Sequence, residues 1–261
     1  MAMLTAAVDC SKDKANTYFV MAAFVSSAEE WTTFDAYWRA RLAKDSLPYF
    51  HMNPFAHATT HPQKPFDKTW IGQENRRKAL LADLLDIIHS HAWRRFICML
   101  SMNVLDSFSL DSRRTYIPSL IAFAGQLLWT EIERWRREEK WANQVEMVFE
   151  QGDDDVGTLM DAFRRGTGVI PSFRHKKDNP EKGIVGFTPL QAADILAYES
   201  QKLVEMEGRP KGTPFRFPYE QLDKIPGSMN LMADRGAKVY QDLFSILQQF
   251  DKNPLGGGLL Q

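Results

Sequence analysis

The sequence is poor in features that would narrow its class at once. Only two cysteines, Cys10 and Cys98, occur in 261 residues, and they form neither a disulfide framework nor a metal-binding cysteine motif. No apolar run reaches the ~20 residues that span a bilayer, and the first residues lack the pattern of a signal peptide. We therefore expect a cytoplasmic protein in a reducing compartment, without a membrane partner.

The chain also lacks a net charge of either sign. Its 32 basic and 33 acidic residues give a formal charge of −1, so nucleic-acid binding would need a local basic patch. Such patches are Arg134 with Arg136 and Arg137, Arg164 with Arg165, and the run Arg174 to Lys177. Each of these patches is also typical of a solvated helix face or loop. We take Arg174, Lys176 and Lys177 as candidate substrate-binding residues.

What the chain does have is enough apolar sequence for a core and an alternation of strands and helices. The hydrophobic content of 44% is ordinary for a globular protein. Strands are predicted at Leu4 to Val8, in "TYFVMAAFV", "RFICMLSMNVL" and "VEMVFE", and in the short "GIVGF". Helices are predicted from the capping box at Ser27 to about Leu42 and near residues 74–91, 116–139, 156–165 and 188–205. This order predicts an α/β fold with a mixed sheet flanked by helices.

Several local signals fix the element boundaries. Ser27 to Glu30 reads as a capping box before a helix, and Thr188 to Gln191 reads as another. The stretch 53–70 lacks periodicity and is predicted to be a long loop. We expect one domain over residues 1–207. Residues 208–261 would then form a C-terminal helical extension, with a helix near 236–250 and a flexible tail.

Three carboxylates occupy positions that an ordinary surface role does not explain. Asp9 and Glu150 each end an apolar strand, and Asp194 lies within the apolar helix "PLQAADILAY". A buried, unpaired charge is costly, so a basic partner or a metal ion must compensate. Small alanines around Asp194 would let its helix approach the sheet closely. The three side chains are therefore expected to converge in an anionic pocket that suits a hard divalent cation.

The motifs "AAVDCS", "YFHM", "MVFEQG" and above all "PLQAADILAY", in that order, resemble the bacterial domain of unknown function 3800 family. The resemblance covers roughly Leu4 to Leu203. It implies a ribonuclease H-like fold in which Asp9, Glu150 and Asp194 bind Mg²⁺ or Mn²⁺. One position departs from the family pattern, where Asp-Glu-Ser is usual and Cys10 stands in place of the glutamate. Side chains alternate along a strand, so position 10 faces the side of the sheet opposite to Asp9. Either the glutamate is therefore dispensable, or activity is lost.

The expected activity is hydrolysis of a nucleic-acid phosphodiester by a two-metal mechanism. Gln191, one helical turn before Asp194, could orient a ligand or serve only as a helix cap. His51 could carry protons, or be a buried hydrogen-bonded residue. The alternative function is a non-catalytic protein that binds nucleic acid or a protein partner through the same cleft.

Two further alternatives concern other side chains. His51, His57 and His61 could form a zinc site, although no fourth ligand is obvious. Cys10 could be a thiol nucleophile with His51 as its base, although a neighbouring carboxylate would raise the pKa of the thiol. The acidic run Asp153 to Asp155 is read as the cap of the next helix, with a metal role for Asp153 as the minor alternative.

Overall fold

The computed structural model describes residues 3–12, 17–103, 119–152, 156–206 and 213–231. Over these ranges the strands are β1 (Leu4–Lys12), β2 (Tyr18–Ser27), β3 (Arg94–Ser101), β4 (Val145–Glu150), β5 (Ser172–Arg174) and β6 (Gly227–Leu231). The α-helices are α1 (Ala28–Lys44), α2 (Met52–His57), α3 (Glu74–His91), α4 (Leu120–Glu138), α5 (Val156–Gly166), α6 (Pro189–Val204) and α7 (Phe217–Asp223). The result is a mixed α/β fold, as the sequence predicted.

The strands form one sheet in the order β5-β4-β1-β2-β3-β6. Strands β1, β2 and β3 are an antiparallel meander, and β4 and β5 continue in parallel from the other side of β1. This arrangement of five strands is ribonuclease H-like, in agreement with the fold that the resemblance implied. Strand β6 pairs in parallel with β3. It lies beyond residue 207, within the segment predicted to be a helical extension.

Helices cover both faces of the sheet, and each face has its own apolar core. On one face α1, α3 and α6 enclose a cluster that includes Trp38, Phe50 and Leu84. On the other face α4 and α5 pack with Phe123 and Phe163 among buried residues of the strands. Because side chains alternate along a strand, successive residues of β1 point into different cores.

Helix α6 lies very close to the centre of the sheet. Ala7 of β1 packs against Leu190 and Ala193, and all three side chains are fully buried. A methyl group at position 193 keeps the separation between helix and strand short, since a longer side chain would push them apart. The polar residues that α6 carries among its alanines are therefore brought directly over the strand ends.

Several predicted boundaries are confirmed. The Ser27 hydroxyl caps α1 by accepting a hydrogen bond from the Glu30 N–H at 3.1 Å. The apolar face of α1 is buried through Trp31, Phe34, Trp38 and Leu42. Helix α3 covers the predicted span, and β4 covers "VEMVFE".

Other predictions are wrong for identifiable reasons. The stretch 53–70 contains most of α2 and a short 3₁₀ turn at Lys68–Trp70. "GIVGF" is not a strand, because Gly183 adopts a left-handed φ of 64° and closes a turn bridged by Asn179 and Ile184. The strand that extends the sheet beyond β4 is instead β5, whose three residues are too few to produce a periodic pattern.

Some expectations fall on residues that the structure does not describe. They are the start of α4 near Pro118, the proposed cap at Asp153, and the C-terminal helix near 236–250. Over the described ranges, no helix combines the length and apolar character needed to cross a membrane.

Candidate active site

Asp9, Glu150 and Asp194 come together where β1 and β4 stop pairing. The parallel ladder of these strands ends at Val8 and Phe149, so Asp9 and Glu150 are the next residue of each strand. On its other side β1 continues, with Asp9 opposite Ala22, so Asp9 does not end the strand as predicted. Asp194 reaches the same point from α6, and both aspartates are buried.

The ammonium of Lys176 lies between the three carboxylates. Its Nζ is 2.9 Å from Asp9 Oδ2, 2.8 Å from Glu150 Oε2 and 3.6 Å from Asp194 Oδ1. Lys176 is only 7% exposed, so in this arrangement its ammonium is held within the cluster and away from the surface. The compensating group that the buried aspartates required is thus a basic partner. Three carboxylates against one ammonium leave a formal charge of −2.

Gln191 holds the backbone segments that bring the site residues inward. Its side-chain oxygen accepts hydrogen bonds from Trp38 Nε1 at 2.9 Å and from the Phe50 N–H at 2.7 Å. Its amide nitrogen donates to the Lys176 carbonyl at 2.7 Å. The predicted capping box is wrong, because the Thr188 hydroxyl donates to Asp35 Oδ1 and caps nothing. Gln191 therefore positions the segments that carry the site residues.

A second network fixes the loop that carries Lys176. Arg39 of α1 donates to Asp178 Oδ2 at 2.6 Å and to the Gly186 carbonyl at 2.9 Å. The Gly186 N–H in turn donates to Asp178 Oδ1 at 2.7 Å. At Gly186 an added Cβ would lie 2.6 Å from the carbonyl carbon of Lys177. Only glycine allows the two arms of this loop to approach so closely.

His51 lies at the open side of the cluster. Its Nε2 is 3.5 Å from Asp194 Oδ1, and the N–H of the next residue, Met52, donates to Asp194 Oδ2 at 2.6 Å. Burial and then the charge of Lys176 lower the pKa of His51. The imidazole is therefore neutral at neutral pH, with one ring nitrogen able to accept a proton.

The buried charges shift one another's proton affinity. Burial raises the pKa of Asp9 to about 6, although the nearby Lys176 opposes the shift. Burial also raises the pKa of Asp194, again against Lys176. Burial alone would lower the pKa of Lys176, but the three carboxylates outweigh it and hold that pKa well above its usual value. Lys176 is therefore charged at neutral pH.

The other candidate residues lie apart from this cluster. Arg174 and Lys177 are exposed, and Lys177 Nζ lies 5.0 Å from the centre of the Tyr49 ring. Cys10 packs in the core on the opposite face of the sheet, away from His51, which excludes the proposed thiol–histidine pair. That position also agrees with the view that the residue after Asp9 does not face the site.

Only the chemistry of the site, and not its spacing, fits a divalent cation. Mg²⁺ and Mn²⁺ prefer oxygen ligands, and the Lys176 ammonium marks a point that carboxylate oxygens of all three acids approach. Mg²⁺ requires ligand distances of about 2.0–2.1 Å, whereas these oxygens lie 2.8–3.6 Å from that point. Among the described residues no group of His, Cys, Asp or Glu is spaced to hold a metal ion, the three histidines included. A metal ion fits only if Lys176 Nζ moves out and the carboxylate oxygens move closer to that point.

Comparison with known proteins adds little to this geometry. No protein-family model and no curated protein matches the chain, so the resemblance to the domain of unknown function 3800 family gains no support there. Among solved structures, the ribonuclease H2 from Pyrococcus horikoshii OT3 is similar, with a TM-score of 0.39 and 14% identity over 96% of this chain and 100% of that one. The strand order and pairing described above carry the fold assignment.

Removing the central cation should destabilise the protein. The Lys176→Met variant leaves the buried carboxylates without their partner, and we expect the free energy of unfolding at pH 7 to fall by about 3–5 kcal/mol. Urea denaturation followed by circular dichroism measures this change. Lys177→Met is the matched control, since its side chain is exposed, and it should change stability by less than about 0.5 kcal/mol. Equal effects of the two variants would contradict the ion-pair geometry.

The raised pKa of Asp9 predicts a pH dependence. Between the unfolded value of 3.8 and the folded value of about 6, the folded protein holds a proton on Asp9 that the unfolded chain has lost. The stability contributed by Asp9 is therefore complete below pH 4 and is lost as the pH rises to about 6. We expect the ¹³Cγ resonance of Asp9 to titrate near 6 in NMR, and Asp9→Asn to remove this contribution. Titration of Asp9 near 4 would contradict it.

Proposed function

We propose that the protein is a metal-dependent hydrolase of nucleic-acid phosphodiester bonds, with Asp9, Glu150 and Asp194 as the metal-binding and catalytic carboxylates. The observation that supports this is their approach, from two neighbouring strands and one helix, to a single cation position. Structural ion pairs of a core seldom gather three acids around one base, because the excess negative charge is costly to bury. An anionic excess is useful where a divalent cation must be held.

The protein's own side chains at the cluster suit the hydrolysis of a phosphodiester bond. Bound Mg²⁺ or Mn²⁺ would activate water and stabilise the charge that develops on the phosphate. Asp9, Glu150 and Asp194 would hold the ion. Neutral His51, beside Asp194 at the open side, can accept a proton at a ring nitrogen. Gln191 keeps the segments of His51 and Lys176 in place and is a positioning residue.

In this proposal Lys176 stands in for the cation when no metal is bound. Its ammonium and a divalent ion need the same oxygens, so they compete for the cluster. Once displaced, the side chain would carry its positive charge to the edge of the cleft. There it could contact a phosphate of the substrate, which is the substrate-binding role that the sequence suggested for Lys176.

The second candidate function is non-catalytic binding of nucleic acid or of a protein partner. It is favoured by the observation that Lys176 already provides a cation for the cluster, so the pocket is not a bare anionic site. In that case the ion pairs would be a permanent structural element. The absence of the family glutamate at Cys10 points the same way.

The first test is cleavage. With Mg²⁺ or Mn²⁺ we expect turnover of at least one of single-stranded RNA, single-stranded DNA, duplex and RNA–DNA hybrid, and little turnover with Ca²⁺. Asp9→Asn and Asp194→Asn should lower the rate by at least about 100-fold, since even residues that only support a metal ligand cost 10–100-fold. Asp161→Asn, an exposed change on α5, is the control and should retain full activity. No cleavage across the panel contradicts the proposal.

The second test separates the two candidate functions. If Lys176 competes with a metal, Lys176→Met should bind Mn²⁺ at least about 10-fold more tightly than wild type in isothermal titration calorimetry. Saturating Mn²⁺ should also restore part of its lost stability, by about 2.7 kcal/mol at one hundred times Kd. Lys177→Met should bind Mn²⁺ like wild type. If neither wild type nor Lys176→Met binds Mn²⁺, the cluster is structural and the binding function is preferred.

A further inference from the structure

A basic pocket adjoins the carboxylate cluster on the same face of the sheet. It has a volume of about 520 Å³ and lies between α2, α3 and α6. Two of its lining residues connect it to the site. The Met52 N–H donates to Asp194 Oδ2, and Tyr198 follows Asp194 by one turn of α6. The volume lies within the ~300–1,000 Å³ typical of ligand sites.

Cations outnumber the acids around this pocket. Arg77 and Lys78 extend from α3, Lys202 from α6, and Arg216 precedes α7. The acids in the lining are Glu74 and Glu205, while the fully buried Glu199 lies beneath Arg216. Lys78 is exposed, so its charge faces the solvent at the pocket edge. Each of these three acids pairs with one of the four cations, so the pocket has a net excess of one positive charge and an open mouth.

Three of the cations are held in place before any ligand arrives. Lys202 Nζ contacts Glu205 at 2.7 Å, Arg216 Nε contacts Glu199 at 2.9 Å, and Arg77 donates to the Phe55 carbonyl at 2.8 Å. The ring of Tyr198 lies 5.3 Å from Lys202 Nζ and 5.9 Å from the Arg216 guanidinium carbon. Fixed cations bind an anion at a lower entropic cost than free ones.

We propose that this pocket binds the phosphate backbone of a nucleic-acid strand whose reacting phosphate lies at the carboxylate cluster. The proposal rests on the function proposed above and extends it to a second contact region. Lys202 follows Asp194 by eight residues, which is about 12 Å along the helix axis. Because successive phosphates lie further apart than the 3.4 Å axial rise of a B-form strand, the pocket contacts phosphates about two to three nucleotides from the reacting one. The patch at Arg174 and Lys177 is not required for this contact.

Binding can be measured without turnover, by fluorescence anisotropy of labelled 12-nucleotide RNA and DNA strands with the full chain in EDTA. We compare wild type with the double variant Lys78→Gln/Lys202→Gln over 50–300 mM KCl. Each phosphate contact on a single strand contributes about 0.7 to the slope of log K against log[salt]. The double variant should therefore lose about 1.4 units of slope and bind about 25-fold more weakly at 0.1 M salt.

The matched control is Arg134→Gln/Arg164→Gln, which removes the same charge from α4 and α5 on the opposite face of the sheet. Both arginines pair with an acid on their own helix, Arg134 with Glu131 and Arg164 with Asp161, as Lys202 does with Glu205. This control should retain the wild-type slope. Thermal melting of all variants within a few degrees of wild type shows that the fold is retained.

The binding slopes and the cleavage results together test the pocket proposal and the hydrolase proposal independently. Equal slopes for both double variants, or no binding of any strand by wild type, overturn the pocket proposal. Cleavage by wild type together with equal slopes rejects the pocket and leaves the hydrolase intact. A lost slope without cleavage by wild type keeps the pocket and rejects the hydrolase.

A small phosphorylated ligand is tested separately. Isothermal titration calorimetry measures the binding of inorganic phosphate and of a mononucleotide at fixed ionic strength. A Kd below about 1 mM that is lost in Lys78→Gln/Lys202→Gln, together with equal strand slopes for the two double variants, would mean that the pocket serves a free phosphate compound. That result also overturns the strand proposal. Weak binding of both compounds together with the lost slope supports it.

Discussion

The ammonium of Lys176 is the interaction on which the centre of the molecule depends. Without a cation at that point, Asp9 and Asp194 would face each other in a buried space, and α6 could not lie so close to β1. The close packing of Ala7 against Ala193 therefore requires a positive charge a short distance away. Gln191 and the Arg39 network serve the same end, because they hold the backbone from which Lys176 reaches inward.

The free-energy cost of burying these charges indicates why such a cluster exists. Burying charges costs several kcal/mol per ion, and apolar side chains of similar size often stabilise a core as well or better. Stability alone is thus a poor reason for three acids and a lysine between a helix and a sheet. A site that exchanges one cation for another has a clear reason, since it must stay intact both before and after the exchange. The adjoining basic pocket is consistent with an anionic partner for that site.

The sequence allowed much of this site to be predicted, but not its centre. Asp9, Glu150 and Asp194 could be found because each is a charge in an otherwise apolar segment, which is a local signal. Lys176 could not be distinguished from Lys177, because it follows a strand of three residues and a loop without periodicity. The need for a compensating cation was evident, whereas its identity depended on tertiary contacts. The turn at Gly183 misled the reading of "GIVGF" for the same reason, since its bridging partner lies outside the apolar run.

Gly186 affects where the Lys176 ammonium lies in the cluster. The Lys177 backbone can lie against it only because a hydrogen atom occupies the place of a methyl group. Lys176 is the preceding residue, so a shift of that backbone would pass directly into the short contacts of the ammonium. The electrostatics of the cluster therefore depend on excluded volume at a buried glycine of the loop that carries Lys176.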